Sequence, residues 1–238
     1  MEQFLRSEPL LGTEYYKKLS DCRVAVFGIG GVGGYAVEAL ARAGVGQLDL
    51  IDSDCVSKSN INRQIIALHS TVGRLKVEAA SDRIKEINPS CKVTAYPLFY
   101  SPETADSFDF SKYNYVIDCV DTVSAKIDII LRAKQLNIPV ISSMGTGNKL
   151  DPTAFKVADI YKTKACPLAR VMRTRLKKCG VKSLKVVFSE ELSKTAQATE
   201  VGTKSDGKAA PASVSFVPPV AGLILAGEVI KDLLGCER

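Results

Sequence analysis

The sequence predicts an α/β protein with a Rossmann-like, doubly wound and mostly parallel sheet, followed by a smaller C-terminal α+β extension. Two observations support this fold class. Short apolar segments that end in turn residues alternate with segments whose apolar residues recur at helical spacing, which is the pattern of βαβ units. In addition, a glycine-rich motif, Gly28-x-Gly30-x-x-Gly33, joins the first predicted strand to the first predicted helix.

The predicted core alternates strands and helices. Apolar runs predict strands at residues 23–28, 47–52, 92–97, 113–119 and 139–143. Apolar residues at helical spacing predict helices at residues 33–43, 76–87 and 124–136, and in the third of these Ile127, Ile130 and Leu131 are expected to face inward. Residues 1–160 are therefore expected to form the Rossmann-like core.

The character of the sequence changes after Thr163. Pro167 and Gly180 are placed to begin and end a helix. The residues expected to form its buried stripe are Leu168, Val171, Met172 and Leu176. A strand at 185–189, a long mobile loop at 193–213, and a short strand and helix at 213–235, the helix beginning at Pro219, are predicted to follow. Residues 161–238 are expected to complete the same domain.

The composition favours a cytoplasmic protein without a membrane segment. The first twelve residues lack the apolar run of a secretory signal. The longest apolar stretch, at 214–227, is interrupted by Pro218 and Pro219 and is shorter than the roughly 20 residues that span a bilayer. Seven cysteines without a C-x-x-C pair fit a reducing compartment and give no zinc-ribbon pattern.

Positive charge is concentrated in one segment of the chain. The net charge is +6, and residues 162–185 contain nine lysines and arginines but no acidic residue. Such a block indicates a polyanionic partner such as a nucleic acid, and the alternative is a solvated helix face. The candidate nucleic-acid contacts on the predicted helix are Arg170, Arg173, Arg175, Lys177 and Lys178.

The glycine motif indicates a nucleotide site. Its glycines permit a tight turn and a close approach of the backbone to phosphate, and the helix that follows offers unpaired N–H groups to the anion. Asp52 ends the second predicted strand, where a carboxylate can accept hydrogen bonds from both ribose hydroxyls. These features alone leave NAD, FAD and ATP open as ligands.

The loop after Asp52 favours ATP. Asn60, Asn62 and Arg63 supply amide and guanidinium groups near the phosphate end of the site, and Lys76 begins the next helix with a second positive charge. These donors suit a triphosphate, whose departing pyrophosphate must be neutralised, whereas an NAD-dependent oxidoreductase has no evident use for them. The alternative for Arg63 and Lys76 is a surface ion pair.

Two carboxylates bracket the end of the fourth predicted strand. Asp118 and Asp121 lie at the carboxyl edge of the sheet, where open α/β sheets hold their ligands, and Asp121 is the stronger candidate for an ATP-bound magnesium ion. The alternative is that both only cap the next helix. Gly145 and Gly147, after the fifth strand, are expected to admit substrate at the same edge.

These motifs together resemble the ATP-binding set of the ThiF/MoeB/ubiquitin-activating superfamily. The resemblance implies that the nucleotide is held by the glycines and Asp52, and that Asp121 binds magnesium. It also implies a homodimer in which Arg6 reaches into the partner's ATP site. The residues that the resemblance assigns to ATP binding are Gly28, Gly30, Gly31, Gly33, Asp52, Asp54, Asn60, Arg63, Gln64, Lys76 and Asp121; Asp121, Arg63, Lys76 and Arg6 are implied to act in catalysis.

Segments at 151–153, 158–160, 166–169, 187–191 and 215–218 are similar to the tRNA threonylcarbamoyladenosine dehydratase branch of that superfamily. This resemblance implies ATP-dependent adenylation of a carboxylate on a modified tRNA adenosine, followed by ring closure. It leaves open a cysteine desulfurase or sulfur-acceptor system as a partner, and a covalent role for Cys166. The alternative function is activation of a sulfur-carrier or ubiquitin-like protein, which the missing C-x-x-C pairs disfavour.

Overall fold

The computed structural model describes residues 2–194 and 211–236. Its centre is a seven-stranded sheet in the order β3-β2-β1-β4-β5-β7-β6, parallel except for β6. The strands are β1 (Arg23–Phe27), β2 (Gln47–Ile51), β3 (Lys92–Tyr96), β4 (Tyr115–Asp118), β5 (Val140–Ser143), β6 (Phe155–Asp159) and β7 (Lys185–Ser189). The Rossmann-like class predicted from the sequence is confirmed.

Helices cover both faces of the sheet. They are α1 (Glu8–Leu11), α2 (Tyr15–Ser20), α3 (Gly33–Ala43), α4 (Lys76–Ile87), α5 (Val123–Gln135), α6 (Pro167–Lys178) and α7 (Pro218–Leu234). One apolar core lies between the sheet and α2, α3, α4 and α7. A second core lies on the other face, under α5 and α6 and the aromatic residues that follow β3. β1, β2, β4 and β5, in the middle of the sheet, are buried on both faces along nearly their whole length, which explains their largely apolar sequences.

Two close backbone approaches determine where glycine is required. A Cβ atom on Gly33 would lie 1.8 Å from the carbonyl oxygen of Gly28, so the turn from β1 into α3 closes only with glycine at this position. A Cβ atom on Gly222 would lie 2.2 Å from the carbonyl oxygen of Val32. Gly222 therefore allows α7 to cross directly over the beginning of α3.

Several details of the sequence prediction are wrong. In α5 the buried residues are Ala125, Lys126, Ile129, Ile130 and Ala133, so the inward face is rotated away from Ile127 and Leu131, which are half-buried. In α6 Val171 is exposed and Ala169 takes its place beside Met172 and Leu176, because the helix packs along a narrower stripe.

The C-terminal part also differs from the prediction. No strand is present between 211 and 217, and α7 begins at Pro218 and ends at the left-handed Gly235. β6 was not predicted, and it pairs antiparallel with β7 at the edge of the sheet. Of the loop predicted at 193–213, residues 195–210 lie outside the described residues. Among the helices of the described residues, none is long and apolar enough to cross a membrane.

Candidate nucleotide-binding site

A cleft of about 490 Å³ lies at the carboxyl ends of β1, β2 and β4. This is the edge of the sheet at which the chain order reverses, and ligands of doubly wound folds bind at that point. The residues predicted to bind ATP that line this cleft are Gly28, Gly30, Gly31, Asp52, Asp54, Asn60, Arg63, Gln64, Lys76 and Asp121. Gly33 lies behind the lining, where it closes the turn.

The glycine loop presents backbone to the cleft. Gly28 has a φ of 88°, in the left-handed region that favours glycine. The nearest atom to a Cβ on Gly30 would be the Gln64 amide nitrogen, 3.8 Å away, so the space in front of Gly30 is open. Since α3 begins immediately beyond, its first N–H groups are directed at this space, which is the arrangement that binds phosphate.

Asp52 links the glycine loop to β2. One carboxylate oxygen accepts the backbone N–H of Ile29 at 2.7 Å, and the other accepts that of Asp54 at 2.9 Å. Burial raises the pKa of Asp52, and the nearby ammonium of Lys76 and the two N–H groups oppose that rise. Both oxygens keep a second lone pair, so the carboxylate can accept ribose hydroxyls while it holds the loop.

Lys76 is buried beside two carboxylates. Its ammonium lies 2.6 Å from an oxygen of Asp54 and 3.7 Å from an oxygen of Asp52. The lysine is 6% exposed, and the backbone N–H of Lys76 donates to the carbonyl of Asp54 at 2.9 Å, which fixes the beginning of α4. The ion pair considered as an alternative for Lys76 is therefore present, but it lies in the cleft and not on the outer surface.

Arg63 lies where this cleft meets a second one. Its guanidinium donates to the carbonyl of Ser59 at 2.9 Å and to the amide oxygen of Asn62 at 2.8 Å. Asn62 does not line the cleft as predicted, because its amide group donates to the carbonyl of Ser213 at 3.0 Å. Gln64 is 6% exposed, and its buried amide oxygen accepts no hydrogen bond from the described residues.

The two carboxylates after β4 have different environments. Asp118 is fully buried, 2.9 Å from the ammonium of Lys126, and accepts the hydroxyl of Ser142 at 2.5 Å. Asp121 is exposed and lines the cleft. Of the two, only Asp121 is available to a metal ion. Among the described residues, no group of three or more His, Cys, Asp and Glu side chains is placed to hold a metal.

The second cleft has a volume of about 530 Å³ and shares a wall with the first. It extends past Met144, Gly145 and Gly147 to Cys166 and Leu168, so the two glycines predicted to admit substrate do line it. Cys166 is 3% exposed. The residues that line both clefts are Gly30, Gly31, Arg63, Cys119, Val120 and Asp121. Arg63 and Asp121 are the only charged residues in that shared set.

Some lining residues were missed by the sequence analysis. Leu98, Phe99 and Tyr100 line the nucleotide cleft. They follow β3 directly, and that position at the carboxyl edge of the sheet is the signal that could have identified them. Tyr100 is anchored by its hydroxyl, which donates to Asp128 on α5 at 2.7 Å.

Other predicted residues lie elsewhere. Arg6 is exposed and lines neither cleft of its own chain. On α6, Arg170, Arg175, Lys177 and Lys178 are exposed. Arg173 is half-buried and donates to the carbonyl of Thr163 at 2.9 Å, so it ties α6 to the preceding turn.

Comparisons with known proteins agree with this geometry. The sequence model of the ThiF family matches residues 4–238. A tRNA threonylcarbamoyladenosine dehydratase of Bacillus subtilis (strain 168) is 46% identical over 242 residues, which cover 98% of this chain and 95% of that protein. Two solved structures of the E. coli tRNA N6-threonylcarbamoyladenosine dehydratase, TcdA, also match. The complex with ATP has a TM-score of 0.88 and the complex with AMP a TM-score of 0.89. Both are 33% identical in sequence, and each match covers 98% of this chain and 94% of the TcdA chain. Because the family model and these relatives extend over nearly the whole chain, it belongs to the ThiF family and, within it, to the tRNA threonylcarbamoyladenosine dehydratases.

Proposed function

We propose that this protein is an ATP-dependent dehydratase that adenylates the carboxylate of threonylcarbamoyladenosine in tRNA and promotes its cyclisation. The observation that supports this most directly is the pair of adjoining clefts, which share one cation, Arg63, and one carboxylate, Asp121. An enzyme that joins a substrate carboxylate to the α-phosphorus of ATP needs two binding spaces that meet at the phosphate.

The nucleotide occupies the first cleft. The glycine loop and the beginning of α3 hold the phosphates, and Asp52 accepts the ribose hydroxyls. Arg63 and Lys76 provide positive charge for the pyrophosphate that leaves. Asn60 and Gln64 complete the polar wall. Ion pairing between Lys76 and Asp54 holds the ammonium in the cleft before ATP arrives.

Asp121 fits a magnesium ion that accompanies ATP. Magnesium in nucleotide sites is held by one or two carboxylates together with phosphate oxygens and water, and Asp121 offers an exposed carboxylate in the cleft. When bound, the ion neutralises phosphate charge. The residue's own part is to place a negative charge where the two clefts meet.

The second cleft receives the modified adenosine. Its threonylcarbamoyl carboxylate attacks the α-phosphorus, the bond to the bridging oxygen breaks, and pyrophosphate leaves. A nucleophilic atom of the same modified base then attacks the activated carbonyl carbon, loses its proton, and expels AMP with one of the original carboxylate oxygens. The net change in the nucleoside is the loss of one water, and no enzyme nucleophile is required, so Cys166 needs no covalent role.

Two further parts of the proposal concern partners. The exposed basic residues of α6, next to the second cleft, bind the tRNA backbone. The active form is a homodimer in which Arg6, which lies outside both clefts of its own chain, contributes to the partner subunit's ATP site. A sulfur-acceptor system is left outside the proposal, because no described residue points to one.

The test is mass spectrometry of tRNA nucleosides after incubation with the protein, ATP and tRNA that contains threonylcarbamoyladenosine. We expect a nucleoside product that is lighter than the substrate by one water. One AMP should be released for each product molecule. If the threonyl carboxylate contains ¹⁸O, the AMP formed should contain one labelled oxygen. Absence of the dehydrated nucleoside, or AMP formation that depends on a sulfur-carrier or ubiquitin-like protein in place of tRNA, would reject the proposal.

A further inference from the structure

Lys126 lies in the first half of α5 with a side chain that is fully buried, although the helix borders the nucleotide cleft. Its ammonium has two partners, the Asp118 carboxylate at 2.9 Å and the carbonyl oxygen of Val120 at 3.0 Å. Asp118 is fully buried as well. Since a buried ion pair contributes little net stability relative to apolar residues of similar volume, stability alone is a weak explanation for this pair.

The ion pair holds the loop between β4 and α5. Val120 is bonded at both backbone groups, because its N–H donates to Asp118 at 3.2 Å and its carbonyl accepts from Lys126. The hydroxyl of Ser142 on β5 donates to the same carboxylate. The loop at 119–122 is thereby connected to the neighbouring strand, and all four of its residues line the nucleotide cleft.

Asp121 depends on this loop for its position. It follows Val120 directly and is exposed, and within the described residues its carboxylate accepts a hydrogen bond from the hydroxyl of its neighbour Thr122, at 3.3 Å. Within the part of the chain that the structure describes, no hydrogen bond or ion pair from another element orients the Asp121 carboxylate. Its location in the cleft is therefore set by the backbone of Val120.

We propose that Lys126 is a positioning residue for adenylation, which fixes the Val120 carbonyl and so places the Asp121 carboxylate against the phosphates. This inference rests on the proposed function. Displacing a group by about 1 Å in an active site costs on the order of 100-fold in rate. ATP affinity depends mainly on the glycine loop and Asp52, so it should change much less than turnover.

The experiment separates positioning from stability. Lys126→Met alone leaves Asp118 as an unpaired buried charge and is expected to be unstable. Asp118→Asn/Lys126→Met removes both charges. The asparagine oxygen can still accept the Val120 N–H and its amide group can donate to the Ser142 hydroxyl, but the Val120 carbonyl is left without its donor. The matched control is Arg23→Met/Asp49→Asn, which removes another ion pair, 2.8 Å between Arg23 and a buried Asp49, away from both clefts.

For Asp118→Asn/Lys126→Met we expect a melting temperature above that of Lys126→Met, ATP affinity within about threefold of the wild type, and turnover lower by roughly 10- to 100-fold. Amide hydrogens of peptides that cover residues 119–122 should exchange faster than in the wild type. The control should keep wild-type turnover and wild-type exchange in that loop.

A stable double variant with wild-type turnover and wild-type loop exchange would overturn the inference, as would an equal loss of turnover in the control. If the double variant does not fold, Asp118→Asn/Lys126→Leu removes the same bond to the Val120 carbonyl with a side chain of different shape, and unchanged turnover and loop exchange in that variant would have the same meaning. If the wild-type protein fails to dehydrate tRNA, the proposed function is rejected, and loop exchange, which needs no substrate, still tests the role of Lys126.

Discussion

Gly30 and Gly33 belong to one motif but have different surroundings. A Cβ atom on Gly33 would meet the Gly28 carbonyl at 1.8 Å, whereas one on Gly30 would meet nothing closer than 3.8 Å. Gly33→Ala should therefore lower the free energy of unfolding by about 3 kcal/mol or more, because backbone must shift. Gly30→Ala should fold normally and weaken ATP binding by at least about tenfold, because the methyl group fills the space for phosphate.

Thermal unfolding and ATP titration of both variants check this prediction. Each variant is the control for the other, since the chemical change is the same. Normal ATP affinity in a folded Gly30→Ala protein would remove the phosphate site from the glycine loop.

Asp52 should make nucleoside binding dependent on pH. Burial raises its pKa, so the folded protein takes up a proton at a higher pH than the unfolded chain does. The stability from that proton is present at low pH and is lost as the pH rises through the raised pKa. Binding has the opposite sign, because only the carboxylate accepts both ribose hydroxyls, so affinity should fall as the pH is lowered through the same range.

Adenosine is the suitable probe, because it has no phosphate that titrates. Its affinity for the wild type should decrease on acidification from neutral pH, starting above the usual range for an aspartate. Asp52→Asn should bind weakly at every pH and lose this dependence. An identical pH profile in the two proteins would exclude Asp52 as the titrating group.

Residues that could be identified from the sequence are those whose role follows from their position at the end of a strand or the beginning of a helix. Asp52 and Asp121 follow predicted strands, Lys76 begins a predicted helix, and all three lie in the same cleft. Lys126 was not identified from the sequence, because a lysine on a helix is normally solvated. Its burial depends on Asp118, which lies on β4, outside the helix, but is adjacent in space. The different environments of Asp118 and Asp121 are also a tertiary property.

At the scale of elements, α6 is the part whose charge predicts a measurable effect. Arg170, Lys177 and Lys178 are exposed, whereas Arg173 is bonded to Thr163. Changing these three of the four exposed basic residues of α6 together to glutamine should reduce the slope of log affinity for tRNA against log salt by about two to three, at roughly 0.7 to 0.9 per phosphate contact. ATP affinity should not change.

The control is Lys17→Gln/Lys18→Gln/Lys92→Gln, which removes the same charge from exposed positions on α2 and β3. Arg173→Gln alone should mainly lower stability, by about 1 kcal/mol, since it loses its bond to the Thr163 carbonyl. If the control and the α6 variant give the same slope, the basic residues of α6 only solvate the helix.

The elements that the sequence predicted best are those with continuous apolar runs or clear helix boundaries. β1, β2, β4 and β5 are buried on both faces, and α7 ends where Gly235 adopts a left-handed conformation. β6 was missed because only Phe155 of its five residues is buried, so its sequence lacks the continuous apolar run of the central strands. Its assignment depends on pairing with β7, which lies about thirty residues away in the chain.

At the scale of the whole molecule, the proposed dimer predicts complementation between two inactive variants. If Arg6 serves the partner's site, a heterodimer of Arg6→Ala and Arg63→Ala subunits has one site with both defects and one site with neither. An equal mixture that exchanges subunits freely should then recover about a quarter of wild-type activity. Turnover measured after mixing, with subunit exchange followed by mass, checks the result.

The two homodimeric variants, measured alone, supply the baseline. No recovery in a mixture shown to contain heterodimers would place Arg6 in its own chain's chemistry or outside catalysis. A monomeric wild-type protein would contradict the proposal directly.

The place of β7 in the sheet affects the order of events on the ribosome. β7 lies between β5 and β6 but is synthesised after both of them. Until residue 189 has left the exit tunnel, a nascent chain has no native partner for the open edge of β5 or for β6, and such edges invite pairing with other chains. Chaperone contact with the emerging chain is therefore most useful during synthesis of the segment from β6 to β7, which is also the segment that contains the basic helix.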